Sequence, residues 1–188
     1  MIRSQQSVEL ENRWRLWPKA DGARVPHRNA FKPYELPALV PNLAVVRLKG
    51  ERCVVLMAGT NITERIAAEI TGLDYMAFIA PAQRGQVLGV LKKVCGHPAG
   101  CCMHLDSDYS RGYTLKLEIT LLPVAGDGGT GDCILALSVP RPGALETPAP
   151  HFLGDPITSD WQGPGEWIDL GYGLPADAGK LDELKVTI

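Results

Sequence analysis

The sequence predicts an α+β domain: a five-stranded antiparallel sheet with helices on one face, an N-terminal helix before it and an irregular C-terminal tail after it. Three observations carry this. Tyr113, Leu115, Leu117, Ile119 and Leu121 alternate with Thr114, Lys116, Glu118 and Thr120, the period of a strand with one buried and one wet face. Two apolar runs, 43–48 and 53–57, flank Lys49-Gly50-Glu51 and read as a hairpin. Two stretches with helical spacing separate that hairpin from the later strands. With 45% hydrophobic residues in 188, the chain has ample material for one core.

Residues 5–17 read as a helix. Val8, Leu10, Trp14 and Trp17 carry its apolar weight, and Pro18 ends it, because the residue before proline avoids the helical region. Trp14 and Trp17 either cover the domain's own sheet or form a dimer contact, and they are the interface candidates. Residues 18–41 hold Pro18, Pro26, Pro33, Pro37 and Pro41 and read as a structured connector. After the hairpin, Asn61 is an expected N-cap with Glu64 as its capping-box partner. Ile62, Ile66 and Ile70 form one apolar face and Gly72 stops the helix. Pro81 opens a second helix bearing Val87, Leu88, Leu91, Val94 and Cys95, ended by Gly96 and Pro98. Strands follow at about 100–105, 113–121 and 133–139. The expected division is 1–41 helix and connector, 42–140 domain, and 141–188 tail.

Charge marks the tail. Residues 1–140 hold 16 basic and 13 acidic residues, and residues 141–188 hold three and eight. A net charge of −2 lacks the basic excess of a dedicated nucleic-acid binder. No apolar run reaches the roughly 18 residues of a spanning helix, and the first residues lack the apolar stretch of a secretory signal. The expectation is a cytoplasmic protein. An odd count of five cysteines (Cys53, Cys95, Cys101, Cys102, Cys133) reads as reduced thiols. Cys95-Gly-His97 and Cys101-Cys102-Met-His104 suggest a haem or metal reading, but the spacing is not Cys-x-x-Cys and no second half appears. On a strand, Cys102 and His104 would share one face, and Cys101, Met103 and Leu105 the other.

Other motifs are incomplete. Residues 126–131 match Gly-x-Gly-x-x-Gly literally, but a strand follows instead of the helix that would hold a phosphate. Asp106-Ser-Asp108 lacks the rest of a calcium loop. No Gly-x-Ser-x-Gly or His-Glu-x-x-His sequence occurs, so no catalytic residue and no metal ligand is nominated. Arg28, in Pro26-His27-Arg28, either locks the connector to the sheet or binds an anionic ligand.

The order of elements resembles a PAS domain, and the motifs resemble a bacterial single-domain PAS family. They are Trp14 and Trp17 on a leading helix, Pro26-His27-Arg28 with Pro33, Gly59-Thr60 after the second strand, and Ile70-Thr71-Gly72. Leu73 stands where the family often has a charged residue. The resemblance covers roughly residues 10–140. It implies a non-enzymatic sensory module that holds a small ligand between helices and sheet, or contacts a protein partner, with a homodimer through flanking helices. The cofactor and the partner are unnamed by the sequence. The wall candidates are Leu56, Ile66, Ile70, Met76, Leu91, Met103, Leu115 and Leu117, with a solid core as the alternative. Two rival readings remain: a haem- or metal-dependent sensor or small enzyme using Cys95, His97, Cys102 and His104, and a scaffold acting through the C-terminal tail.

Overall fold

Ser4 starts the first helix. Its Oγ accepts from the Ser7 N–H at 3.2 Å, satisfying one of the open donors of a helix N-terminus. The computed structural model describes residues 2–109, 113–128, 131–141, 158–176 and 178. Helix α1 runs Gln5–Leu16, with Trp17 as its C-cap. Its buried face is Ser7, Leu10 and Trp14, at helical spacing, while Val8 is left 41% exposed.

Strands β1 (Leu43–Lys49) and β2 (Arg52–Ala58) form the expected hairpin, with Lys49 opposite Arg52. Gly50 takes φ +66°, as the tight two-residue turns require. Gly59 then leads into α2 (Thr60–Ile66). A Cβ there would lie 2.3 Å from the Val40 carbonyl oxygen and 2.5 Å from that of Pro41, so glycine lets the strand end pass against the connector. Helix α2 is shorter than the sequence suggests. Gly59 is its N-cap instead of Asn61, and Ala67 ends it at φ 50°. Asn61 donates to Asn42 Oδ1 at 3.3 Å, and Ile70 sits past the helix. Pro81 opens a short turn that leads into α3 (Arg84–Gly96).

Strands β3 (Gly100–Tyr109), β4 (Tyr113–Val124) and β5 (Cys133–Pro140) follow. The expected β4–β5 pairing is present, from Leu117 opposite Pro140 to Val124 opposite Cys133. The sheet has six strands instead of five, in the order β2-β1-β5-β4-β3-β6, all antiparallel. The sixth, β6 (Thr158–Ile168), comes from the tail expected to be irregular. Its Gly163-Pro164-Gly165 reads as a loop in sequence. An edge strand tolerates proline, because one row of its N–H groups has no partner strand. The register slips between Cys102 and His104 where these residues pass β3.

Both faces of the sheet are covered. One buried cluster joins α2, α3 and the 75–78 turn to Val46, Val55, Met103, Leu117 and Ile119. The other joins Leu10, Trp14, Trp17 and the connector's Phe31, Leu36 and Leu39 to Val45, Leu122, Leu135 and Leu137. The β4 face expected to be wet is therefore partly dry: Glu118 is 4% and Thr120 0% exposed. Both are satisfied by α1. Glu118 accepts from the Ser4 N–H at 3.0 Å and from Ser4 Oγ at 2.6 Å. Thr120 Oγ1 donates to Ser7 Oγ at 2.6 Å.

Candidate functional site: a cavity between the sheet and helix α2

Three alanines cross the sheet in register: Ala58 opposite Ala44, and Ala44 opposite Ala136. Small side chains there leave a dent that the helices above do not fill. The result is a cavity of about 100 Å³. Its floor includes Ala44, Val46, Ala136, Leu117, Ile119 and Leu121, and its cover Ile62, Ile66, Ile70, Tyr75, Phe78 and Leu91. Three polar residues also line it: Arg65, Ser107 and Ser138.

Arg65 sits in the last turn of α2 yet is only 8% exposed. Its Nη1 donates to Asn42 Oδ1 at 3.0 Å. Its Nη2 donates to the Ser138 carbonyl oxygen at 3.1 Å and to Ser138 Oγ at 3.2 Å. One guanidinium thus ties α2 to the end of the connector and to β5. A nearby carboxylate fixes the next segment: Asp74 Oδ1 accepts from the Cys53 N–H at 2.9 Å and the Met76 N–H at 3.2 Å. That closes the 75–78 turn over β2.

Of the wall residues named from sequence, Ile66, Ile70, Leu91 and Leu117 line the cavity. Met76, Met103 and Leu115 lie in the surrounding core. Leu56 packs on the opposite face of the sheet. Strand β2 is apolar from Cys53 to Ala58, so alternation alone does not tell its inner residues Cys53 and Val55 from Leu56. Arg65, Ser107 and Ser138 were not named. The usable signal is that Arg65 falls three residues after Ile62 on the apolar stripe of α2, and that Ser107 and Ser138 continue the inward positions of β3 and β5.

The remaining candidates lie elsewhere. Trp14 is 0% exposed and its Nε1 donates to the Pro123 carbonyl oxygen at 2.8 Å. Trp17 stacks edge-on against Phe31 with centroids 5.8 Å apart. Both rings are thus buried within the chain's own fold, which is the sheet-covering one of the two roles the sequence leaves open for them. Arg28 makes a forked pair with Asp127, Nη2 to Oδ1 at 2.7 Å and to Oδ2 at 2.9 Å. The Arg28 N–H donates to the Ala125 carbonyl and the Ala125 N–H to that of Pro26, both at 2.8 Å. Arg28 therefore stitches the connector to the end of β4. Its hydrogen bond, before any other influence, holds the Asp127 carboxyl below its ordinary value. The Gly126–Gly131 motif lies in the β4–β5 connection, where no phosphate-holding helix follows.

Cys95, His97, Cys102 and His104 are not brought together. Cys95 packs beside the α2–α3 core and Cys102 lies in the α1 core. His97 Nε2 meets the Gly173 carbonyl oxygen at 3.2 Å, and His104 Nδ1 meets Arg141 Nη1 at 3.1 Å. Burial pushes the Cys95 thiol up to about 12 and the Cys102 thiol up to about 11, so both stay protonated near neutral pH. Among the described residues no three His, Cys, Asp or Glu side chains are placed to hold a metal ion. Nor is any described helix long and apolar enough to cross a membrane.

A sequence profile of the PAS domain matches residues 2–138. The chain belongs to the PAS domain family. No curated protein matches it. Solved structures similar to this PAS domain include a LOV protein from Rhodobacter sphaeroides, at 13% identity and a TM-score of 0.45, covering 60% of this chain and 68% of that one. The light state of the blue-light photoreceptor Aureochrome1 LOV matches at 10% identity and a TM-score of 0.43, covering 58% and 88%. An RNA-binding light-oxygen-voltage receptor matches at 13% identity and a TM-score of 0.42, covering 65% and 35%.

Proposed function

We propose that this PAS domain is a non-enzymatic sensory module that takes a small ligand into the cavity under α2 and passes the change to a protein partner. The observation that carries this is the dent at Ala44 and Ala136, covered by helices that one buried arginine ties to the sheet. A void of this kind costs stability unless something fills it, so a ligand that fits gains both apolar contact and the void energy. Occupancy acts on α2, because Arg65 links that helix to Asn42 at the connector's end and to Ser138 on β5. A population shift between two positions of α2 needs only a ligand that prefers one of them.

The test uses the full chain with pentan-2-one as a neutral probe. At ten times its dissociation constant the probe should add about 1.4 kcal/mol of stability, or about 3–6 °C in the unfolding midpoint for a chain of this size. Ala136→Leu, which fills the dent, should abolish the shift and leave the far-ultraviolet circular dichroism unchanged. An equal shift in the filled variant would place binding elsewhere and refute the cavity as the sensory site.

A further inference from the structure

The end of α1 and the connector behind it carry a charge that the rest of the chain does not. Residues 13–32 hold six basic residues and one acidic, in a chain whose net charge is −2. An open groove of about 590 Å³ runs between these two segments, with Arg13, Leu16, Trp17, Lys32, Tyr34 and Glu35 in its lining. Among the described residues, Leu16 and Tyr34 are two of the three most exposed large apolar side chains, at 76% and 77%. A lone apolar residue at a surface is ordinary, but two in one groove point to a contact. The cations beside them are not neutralised by neighbours. Arg15 pairs with Glu11 and Arg28 with Asp127. The exposed side chains of Arg13 and Lys32 make no ion pair or hydrogen bond among the described residues. An acidic partner therefore meets them without first breaking an ion pair. Leu16 is aliphatic and Glu35 anionic, and both disfavour a phosphate backbone. A peptide suits both, because its side chains pack on the first and its N–H groups donate to the second.

We propose that this groove is where the protein partner docks, and that the partner presents an acidic segment anchored by apolar side chains. Its carboxylates meet Arg13 and Lys32, and its apolar residues pack on Leu16, Tyr34 and the edge of Trp17. This rests on the reading that the module passes its signal to a protein. It does not rest on the cavity, which lies on the other face of the sheet. The connector joins the two places. It supplies Lys32 and Tyr34 to the groove and ends at Asn42, whose Oδ1 accepts from Arg65 Nη1 at 3.0 Å. A displaced α2 therefore pulls on the segment that forms one wall of the groove.

The experiment titrates the full chain into a fluorescein-labelled decapeptide, Glu-Asp-Leu-Phe-Glu-Asp-Leu-Leu-Asp-Glu, and reads fluorescence anisotropy. The peptide should bind at least tenfold more tightly than its analogue with every carboxylate as the amide, and at least threefold more tightly than one with its apolar residues as serine. Arg13→Gln with Lys32→Gln should weaken it tenfold or more, and Leu16→Ser threefold or more. All three sites are exposed, so the variants keep the fold. Lys49→Gln with Lys92→Gln, outside the groove, removes the same charge and should change binding less than twofold. Equal weakening by the two charge pairs would mean diffuse attraction and overturn the proposal, as would no binding at millimolar concentration. A single-stranded thymidine oligonucleotide should bind more weakly than the peptide; tighter binding that is lost in Arg13→Gln with Lys32→Gln would make the groove a nucleic-acid surface and overturn the peptide assignment. The midpoint shift that reads the cavity is measured on the same samples. A chain that shows the shift and ignores the peptide overturns this surface alone, and one that binds the peptide without the shift overturns the cavity and keeps the groove.

Discussion

Truncating Trp14 tests how the first helix is held. The ring is 0% exposed, its Nε1 donates to the Pro123 carbonyl at 2.8 Å, and Lys19 Nζ lies 4.9 Å from its centroid. Pro123 lies past the last pair of β4 with β3, Cys101 opposite Leu121, and opposite Ile134 on β5, so the indole bonds to the sheet where β3 no longer covers β4. Trp14→Ala removes the packing of a fully buried aromatic, about 3–5 kcal/mol. Trp14→Phe keeps most of the packing and strands that carbonyl, about 1–3 kcal/mol. For a chain of this size each kcal/mol is about 2–4 °C, so the alanine variant should melt about 6–20 °C lower. Urea midpoints with an unchanged slope measure the loss, and sedimentation velocity reports mass on the same samples. The order alanine, phenylalanine, unmodified should hold in rising stability. An alanine variant with an unchanged midpoint that has only lost a dimer would refute the packing argument and restore Trp14 as an interface residue.

Four further outcomes follow from the same geometry. Ser4→Ala should cost about 1–3 kcal/mol in urea denaturation, since it removes the α1 cap and a partner of the buried Glu118 together; a loss below about 0.5 kcal/mol would contradict that link. Gly59→Ala should destabilise by about 2 kcal/mol or more, because its Cβ meets the Val40 and Pro41 carbonyls; a neutral result would mean the connector yields freely. His104 has its pKa lowered by burial first and by Arg141 second, so the fold favours the neutral ring. Its contribution is present above the unfolded value of about 6.5 and is lost as pH falls below it; His104→Gln should flatten stability between about pH 7 and 5, and an unchanged slope would assign the dependence elsewhere. Arg28→Ala should leave the chain folded, because two backbone bonds hold the connector to Ala125; unfolding of this variant would show that the ion pair dominates.

Much of the sheet is legible because alternation on β4 and glycine at the hairpin are local signals. The inward set Cys101, Met103 and Leu105 on β3 follows from alternation once 100–109 is a strand. What was hidden depends on contacts distant in the chain. Nothing near Glu118 announces that Ser4, 114 residues away, will bury it. The sixth strand was masked by Gly163-Pro164-Gly165, whose local preference for a turn is overridden by pairing along β3. Helix α2 ends at Ile66 although isoleucine recurs at 70, because Ala67 turns left-handed and the Gly72 N–H then bonds to the Val55 carbonyl at 2.8 Å. The cavity was hidden for another reason. It is made by what is missing from Ala44 and Ala136, and apolar patterning counts alanine as core.

The docking of β6 on β3 also governs how this protein should be cut. Strand β3 runs ten residues with Cys101, Cys102, Met103 and Leu105 fully buried or nearly so. Remove residues 141–188, and a long row of its N–H and C=O groups loses its partner beside apolar side chains. Such an edge invites a strand from another chain. A truncation meant to ask whether the C-terminal segment recruits a partner would instead yield adhesive protein and report capture that has nothing to do with recognition. The informative cut falls after Leu170, which keeps β6 paired along β3 and Leu170 in the core with Trp14.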